Sequence, residues 1–189
     1  MHQVMLLSVL ISVNKPVRNL KNYFKNNFHH TVTILLVAFL ILKIPDIFKM
    51  YQKHGKVLPA GQVVLLSGQV ESVPTTAKKQ VLVFWATWCG PCSIELGRIQ
   101  SLIDKNKINK NSILAISIGE SREIVQNHVT QKKYTFPVAI DIDGAVASLY
   151  EVNGTPTVFL VDENKSIHWM TVGMSPSLEL RLKNFLGSD

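Results

Sequence analysis

Both cysteines of the 189-residue chain lie in one short stretch, residues 81–96, which reads VLVFWATWCGPCSIEL. Residues 81–86 form a continuous apolar run rich in β-branched and aromatic side chains, which is typical of a buried central strand. Cys89 follows this run by three residues, and Pro91 opens a helical pattern that contains Cys92. A strand that leads through a cysteine into a helix restricts the chain to folds that combine a sheet with packed helices.

The position of Cys89, at or just before a helix N-terminus, favours a reactive thiolate. Unpaired backbone N–H groups and the helix dipole stabilise an anion there, and the thiolate is the nucleophilic form of cysteine. Two intervening residues let the sulfur of Cys92 return to that of Cys89 within one turn. We therefore expect a dithiol that opens and closes a disulfide, with Cys89 exposed and Cys92 shielded.

Two other uses of the cysteine pair remain open from the residues alone. A structural disulfide across so short a loop gains little chain entropy and is usually labile. A zinc site needs about four ligands, whereas the chain has no second cysteine pair. The two histidines beyond residue 60, His128 and His168, show no metal-ligand spacing. We predict neither a metal ion nor a cofactor.

The remaining pattern alternates between strands and helices, which predicts an α/β fold with a mixed sheet flanked by helices. We expect Pro176 in the first turn of the last helix. The predicted elements are a hairpin at 62–73, strands at 81–86, 112–119 and 136–141, helices at 91–106, 121–133 and 144–152, a hairpin at 155–172, and a helix at 175–187.

The net charge of +7 is confined to the N-terminal third of the chain. All of the excess falls before Val57, and the remainder carries equal numbers of basic and acidic residues. The predicted folded part therefore has no basic surplus with which to bind nucleic acid, and we predict no nucleic-acid partner.

The N-terminal third is divided by an apolar run. We predict a basic cytoplasmic segment at 1–30, a transmembrane signal anchor at 31–48, a linker at 49–60, and a folded domain at 61–189. Because no small-residue cleavage site follows, we favour an uncleaved anchor over a cleaved signal peptide or a buried soluble helix. The basic residues flank the run equally, so they do not determine its orientation.

Two motifs resemble those of a known family. FWATWCGPC, residues 84–92, is similar to the active site of thioredoxin-fold proteins, and GTPT, residues 154–157, to their cis-proline loop. The anchor, the first hairpin and the extra helix–strand unit at 121–141 resemble the membrane-anchored TlpA/ResA type. Residues 132–138 and 173–186 resemble its copper-sensitivity-suppressor branch.

This resemblance implies a thioredoxin fold with an N-terminal hairpin and an inserted helix–strand unit, and thiol–disulfide oxidoreductase activity. It implies a domain outside the cytoplasm on a single inner-membrane anchor, a disulfide-bearing protein substrate, and a membrane protein as electron donor. The implied site residues are Cys89, Cys92, Glu95 and Pro156 for catalysis, with Trp88, Thr155, Gly90 and Pro91 contacting substrate. Gly90-Pro91 is the dipeptide of reducing thioredoxins, which favours a reductase. An oxidase or isomerase, and a non-catalytic binding or metal-handling module, are the alternatives.

The expected proton carrier differs from that of cytoplasmic thioredoxins. Val83 stands where those proteins carry a buried aspartate, and Gly97 stands where the TlpA/ResA type often has proline. Glu95, which that type also carries, lies three residues after Cys92 on one helix face with Ile99. We expect this face to turn toward the sheet, so that Glu95 can exchange a proton with Cys92. The alternative is a solvated glutamate that only favours the helix dipole.

Overall fold

The computed structural model describes residues 30–38, 54–75 and 78–187 of two compact units, residues 1–49 and 50–189. In the first unit, residues 30–38 are helical. Within the described ranges, no helix has both the length and the apolar character needed to cross a bilayer. Residues 39–48 of the predicted anchor, residues 49–53 of the predicted linker and almost all of the N-terminal segment fall outside those ranges, and these assignments stay predictions.

The described part of the second unit alternates strands with helices, as the sequence predicts. Its strands are β1 Gly61–Leu65, β2 Val70–Val73, β3 Gln80–Trp85, β4 Ile113–Ile118, β5 Val138–Asp141, β6 Thr157–Val161 and β7 Ile167–Val172. Its α-helices are α1 Gly90–Asp104, α2 Arg122–Lys132, α3 Ala145–Leu149 and α4 Leu178–Leu186. A short 3₁₀ turn, Lys110–Ser112, precedes β4.

The strands form one mixed sheet in the order β2-β1-β5-β4-β3-β6-β7. Strands β3, β4 and β5 are parallel, whereas β1, β6 and β7 each pair antiparallel with a neighbour. The first hairpin is β1–β2, and α2 with β5 forms the inserted unit. The predictions of a mixed sheet, an N-terminal hairpin and an inserted helix–strand unit are therefore confirmed.

Alternate residues of β3 point to opposite faces of the sheet, and each face carries its own apolar core. Val81, Val83 and Trp85 pack in one core with side chains of α1, α2 and α4. Leu82 and Phe84 pack in the other with side chains of α3. All six residues of β3 are buried, as expected for a central strand.

The last helix begins later than the sequence pattern indicates. Its N-cap is Ser177, and Pro176 therefore precedes the helix instead of lying in its first turn. The loop before the helix is instead hydrogen-bonded to α1, because the Ser175 N–H donates to the Glu95 carboxylate. This contact joins residues 80 positions apart, which a local pattern does not reveal.

Candidate active site

Cys89 and Cys92 are joined in a disulfide, with their Cα atoms 5.2 Å apart. Cys92 is fully buried, as predicted. Cys89 is only 5% exposed, so the prediction that it is exposed is wrong for the disulfide state. The bond draws the Cys89 sulfur onto the first turn of α1, and both residues belong to the core that α1 forms with the sheet.

The sulfur of Cys89 occupies the N-cap position of α1. Its backbone is extended, with φ −85° and ψ 101°, and its Sγ accepts the Cys92 N–H at 3.2 Å. The first turn of α1 carries no acidic residue that would oppose an anion. Sulfur thus takes the place of the oxygen that usually caps a helix, and opening the disulfide leaves a thiolate there that the helix N-terminus stabilises.

The predicted cis-proline loop leads into β6 at the same edge of the sheet. The Thr155–Pro156 bond is cis, as predicted, and Pro156 is buried. Thr157 pairs with Phe84, next to the end of β3, so the start of β6 adjoins the point where β3 leads to Cys89. The Pro156 carbonyl accepts the Gly173 N–H at 2.7 Å. Thr155 is half-buried beside it.

Glu95 is fully buried on the face of α1 that also buries Cys92 and Ile99, which confirms the predicted orientation of that face. Its Oε1 accepts the Ser175 N–H at 2.5 Å, and its Oε2 lies 3.3 Å from Nη1 of Arg98. Arg98 is itself partly buried and also donates to the Ser175 carbonyl at 3.0 Å. The reading of Glu95 as a solvated helix-end residue is therefore wrong.

Exposed residues flank the buried disulfide in sequence, and exposed apolar residues lie beside the cis-proline loop. Trp88 is 77% exposed directly before Cys89, and Gly90 and Pro91 are exposed after it. Beyond β6, Val172 and Met174 are at least half exposed. Val172 packs beside the cis-proline loop, since a Cβ on Gly154 would lie 3.5 Å from its side chain.

A sequence model of the AhpC/TSA family matches residues 55–170, more than half of the chain and the whole of the disulfide region. The chain belongs to the AhpC/TSA family.

Named relatives of this AhpC/TSA chain share its cysteine chemistry. The sporulation thiol-disulfide oxidoreductase A of Bacillus subtilis is 27% identical over 154 residues, which cover 80% of this chain and 93% of the relative. The thiol-disulfide oxidoreductase ResA of Bacillus cereus is 33% identical over 142 residues, which cover 70% and 82%. The crystal structure of StoA from Bacillus subtilis has a TM-score of 0.56 at 26% identity and covers 68% of this chain and 97% of its own.

These similarities confirm the thioredoxin-like fold, the resemblance to the TlpA/ResA type and the thiol–disulfide oxidoreductase activity predicted from the sequence. The copper-sensitivity-suppressor branch and the individual roles of the site residues stay predictions. Among the described residues, His, Cys, Asp and Glu side chains do not come together in a group that could hold a metal ion.

The sequence analysis missed one buried acid in this AhpC/TSA domain, Glu120. It follows β4, the parallel neighbour of β3, and is 7% exposed. The Thr87 N–H donates to Glu120 Oε2 at 2.8 Å, the Thr87 hydroxyl donates to Oε1, and the Ser117 hydroxyl donates to Oε2 at 2.7 Å. Its position just after a buried strand could have indicated a site residue. The carboxyl ends of adjacent parallel strands meet at one edge of the sheet, which brings Glu120 near the end of β3.

A polar group with an unusual environment lies near Glu120. His128 on α2 packs against Trp85, with ring centroids 5.4 Å apart, and its Nε2 is buried without a hydrogen-bond partner. Burial lowers the pKa of His128, and Lys132 lowers it further, while Glu120 acts in the opposite direction. The imidazole is therefore neutral at neutral pH.

Proposed function

We propose that this thiol–disulfide oxidoreductase acts as a reductase of disulfide-bearing proteins outside the cytoplasm. The observation that carries the exchange chemistry is the Cys89 sulfur at the N-cap of α1, bonded to Cys92 and accepting its N–H. The Gly90-Pro91 dipeptide between the cysteines, which resembles that of reducing thioredoxins, supports the direction. The resting disulfide must first be reduced by a donor of two electrons.

In the first step, the Cys89 thiolate attacks one sulfur of a substrate disulfide. One Cys89–substrate bond forms, the substrate S–S bond breaks, and the other substrate sulfur leaves as a thiolate. The helix N-terminus favours the attacking anion. Cys89 is the attacking member because Cys92 is fully buried within the first turn.

In the second step, Cys92 loses its proton and attacks the Cys89 sulfur, which releases the reduced substrate and restores the Cys89–Cys92 disulfide. A buried thiol ionises reluctantly, so this step needs a base. We assign Glu95 to this role, because it shares the buried face of α1 with Cys92.

The substrate lies across the surface formed by the exposed residues beside the disulfide and the cis-proline loop. We assign contacts to Trp88, Gly90 and Pro91 on one side and to Thr155 on the other, where the backbone before Pro156 can hydrogen-bond an extended segment. The exposed side chains of Val172 and Met174 extend this surface. Its apolar character suits an unfolded or loosely folded segment that presents a disulfide.

Residues 31–48 anchor the domain in the inner membrane in this proposal. The described start of this segment supports it, because residues 30–38 are helical and Ile34, Leu35 and Leu36 expose more than half of their side-chain area. The electron donor is then a membrane protein that delivers a dithiol on the outer side. The domain carries no further cysteine, which suits an oxidising compartment.

The reductase proposal is tested by insulin reduction with dithiothreitol at substoichiometric protein, and by equilibrating the Cys89–Cys92 pair with glutathione. We expect many turnovers and a potential nearer the thioredoxin value of about −270 mV than the value of about −120 mV of a strong oxidant. Protein with both thiols alkylated is the control. Absence of turnover would indicate a binding module, and a potential near the oxidant value would reverse the direction.

The anchor is tested separately in whole cells. We expect the full chain in the membrane fraction after an alkaline wash, and labelling of its reduced thiols by a membrane-impermeant maleimide in intact cells. Recovery in the wash, or labelling only after lysis, would overturn the assigned location without affecting the exchange chemistry.

A further inference from the structure

The turn that leads from β3 to the disulfide is hydrogen-bonded to a buried carboxylate. Residues 86–89 form this turn, which is closed by the Cys89 N–H donating to the Ala86 carbonyl at 3.2 Å. Thr87 lies inside it and gives both its N–H and its hydroxyl to Glu120. Both oxygens of this carboxylate are thus engaged with the active-site turn.

Glu120 contacts the turn that carries the attacking sulfur. Thr87 and Cys89 are two residues apart, which limits the span between them to about 7 Å, and the turn keeps the chain from extending. Glu120 is 7% exposed, so solvent screens its charge less than that of a surface acid. A second charge that forms on Cys89 therefore interacts with it.

The partners of Glu120 hold its charge without cancelling it. All three donors, the Thr87 N–H and the hydroxyls of Thr87 and Ser117, are uncharged. On the adjacent helix α2, His128 interacts with Glu120, and its pKa is lowered by burial and further by Lys132, which leaves it neutral at neutral pH. Because these partners carry no charge, they do not cancel the field of the carboxylate at Cys89.

We propose that Glu120 is a positioning residue that sets the redox equilibrium of the Cys89–Cys92 pair, its fixed negative charge opposing the Cys89 thiolate and so favouring the disulfide. Reduction of the disulfide takes up two electrons and, at neutral pH, one proton, leaving a Cys92 thiol and a Cys89 thiolate. Only the reduced state carries the additional charge. A neighbouring anion therefore makes the pair a stronger reductant, and this inference rests on the proposed reductase function.

The alternative is that Glu120 only braces the turn mechanically. The two roles differ in what the removal of one donor does. If bracing is the whole role, then removing the charge and removing a donor both loosen the same turn and shift the equilibrium to a similar extent. If the charge acts on Cys89, removing it favours the dithiol, whereas removing a donor keeps the charge and shifts the equilibrium much less.

The test compares Glu120→Gln with Thr87→Val in the full chain. The measurements are the equilibrium constant with glutathione and the rate of Cys89 alkylation by iodoacetamide at pH 6. For Glu120→Gln we expect a shift of about three- to tenfold toward the dithiol and faster alkylation by a similar factor, as for one charge at moderate effective dielectric. For Thr87→Val, which keeps the charge of Glu120, we expect a shift of less than about twofold.

Asp141→Asn is the matched control, because Asp141 is also a buried carboxylate at the end of a neighbouring strand, bonded to the N–H groups of Val146 and Ala147. We expect it to lower the melting temperature and to change the equilibrium constant less than twofold. Shifts of equal size in both test variants, or no shift in Glu120→Gln, would overturn the inference. If Glu120→Gln does not fold, a shift of about threefold or more in Thr87→Val, which keeps the charge, overturns it.

The outcome is separable from that of the reductase proposal. Insulin turnover and the wild-type potential decide the direction of exchange, whereas the inference depends only on differences between variants of the same chain. An oxidising wild-type pair with a large shift in Glu120→Gln and a small one in Thr87→Val would reject the reductase and retain the role of Glu120.

Discussion

Two segments carry the two sulfurs, and each is held by a buried carboxylate. The turn at residues 86–89 carries Cys89 and is bonded to Glu120. Helix α1 carries Cys92 and is bonded through Glu95 to the loop before α4. In both cases one of the donors is a backbone N–H from a segment distant in sequence.

The two carboxylates differ in the charge of their partners. Glu95 faces the guanidinium of Arg98, which compensates its charge, whereas the donors to Glu120 among the described residues are neutral groups. A compensated carboxylate can lie close to a thiol that must lose its proton, with little long-range effect on other charges. An uncompensated one acts on its surroundings at a distance. The same residue type therefore serves proton transfer in one segment and the redox equilibrium in the other.

The largest expected effect distinguishes the sulfurs of the two segments. Cys89→Ala removes the attacking thiolate and should reduce insulin turnover by more than about a thousandfold, as expected when a covalent nucleophile is lost. Cys92→Ala should also stop turnover but leave the attack intact, so that a mixed disulfide with the substrate accumulates. Non-reducing electrophoresis and mass spectrometry detect that adduct. If the mixed disulfide accumulated in Cys89→Ala instead, Cys92 would be the attacking cysteine and Cys89 the resolving one.

The contribution of the Glu95–Arg98 ion pair to stability is tested by removing Arg98. Arg98→Ala leaves a buried carboxylate with one partner fewer, and because Arg98 is partly exposed we expect a loss of about 1–3 kcal/mol in the free energy of unfolding. Urea denaturation measures it. The matched control is Glu179→Gln, which removes the other, half-exposed carboxylate bonded to Arg98 and should cost less than about 1 kcal/mol. Equal losses of unfolding free energy in the two variants would mean that Arg98 does not stabilise the buried Glu95 carboxylate.

The proton-transfer role of Glu95 is tested with Glu95→Gln, which keeps the shape of the side chain and removes its basicity. We expect the release of substrate from the mixed disulfide to slow by about tenfold near neutral pH, the lower end for general-base catalysis. The rate should recover as pH rises, because hydroxide then removes the Cys92 proton. Single-turnover kinetics from pH 5 to 9 follow this step. An unchanged pH profile with a lower melting temperature would leave Glu95 a structural residue.

The smallest effect is expected at the exposed tryptophan of the turn that carries Cys89. Trp88→Ala removes a side chain that is 77% exposed, so the melting temperature should barely change. The loss of apolar contact should raise KM for a protein disulfide by a few-fold, and leave the reaction with oxidised glutathione nearly unchanged. An equal effect on both substrates would place Trp88 in the chemistry and not in substrate contact.

The sequence predicted the parts of the site that are local. Twenty-five consecutive residues contain the Cys89–Cys92 pair, the buried strand before it and the helix after it. Periodicity and turn chemistry therefore suffice to predict all three. The Thr155–Pro156 cis bond was predicted through the family resemblance, since spacing alone does not place that loop beside β3.

The parts that were missed depend on contacts distant in sequence. Glu120 reaches Thr87 across 33 positions, and Glu95 reaches Ser175 across 80. A lone acid after an apolar run also fits an ordinary solvated loop, so its burial becomes evident only when β3 and β4 are adjacent. The burial of Cys89 was missed for a related reason, because it depends on which oxidation state is considered.

The use of backbone N–H groups as donors has a consequence for how the sequence of such a site can vary. Ser175 and Thr87 each offer their main-chain N–H, which every residue except proline possesses. Side-chain replacement at position 175 therefore leaves the Glu95 attachment in place, and at position 87 it removes one of two bonds. Substitutions can therefore change the residues at positions 87 and 175 while the backbone hydrogen bonds to the carboxylates at 95 and 120 remain. A comparison of sequences would then underestimate the importance of these donor positions for holding the two cysteines.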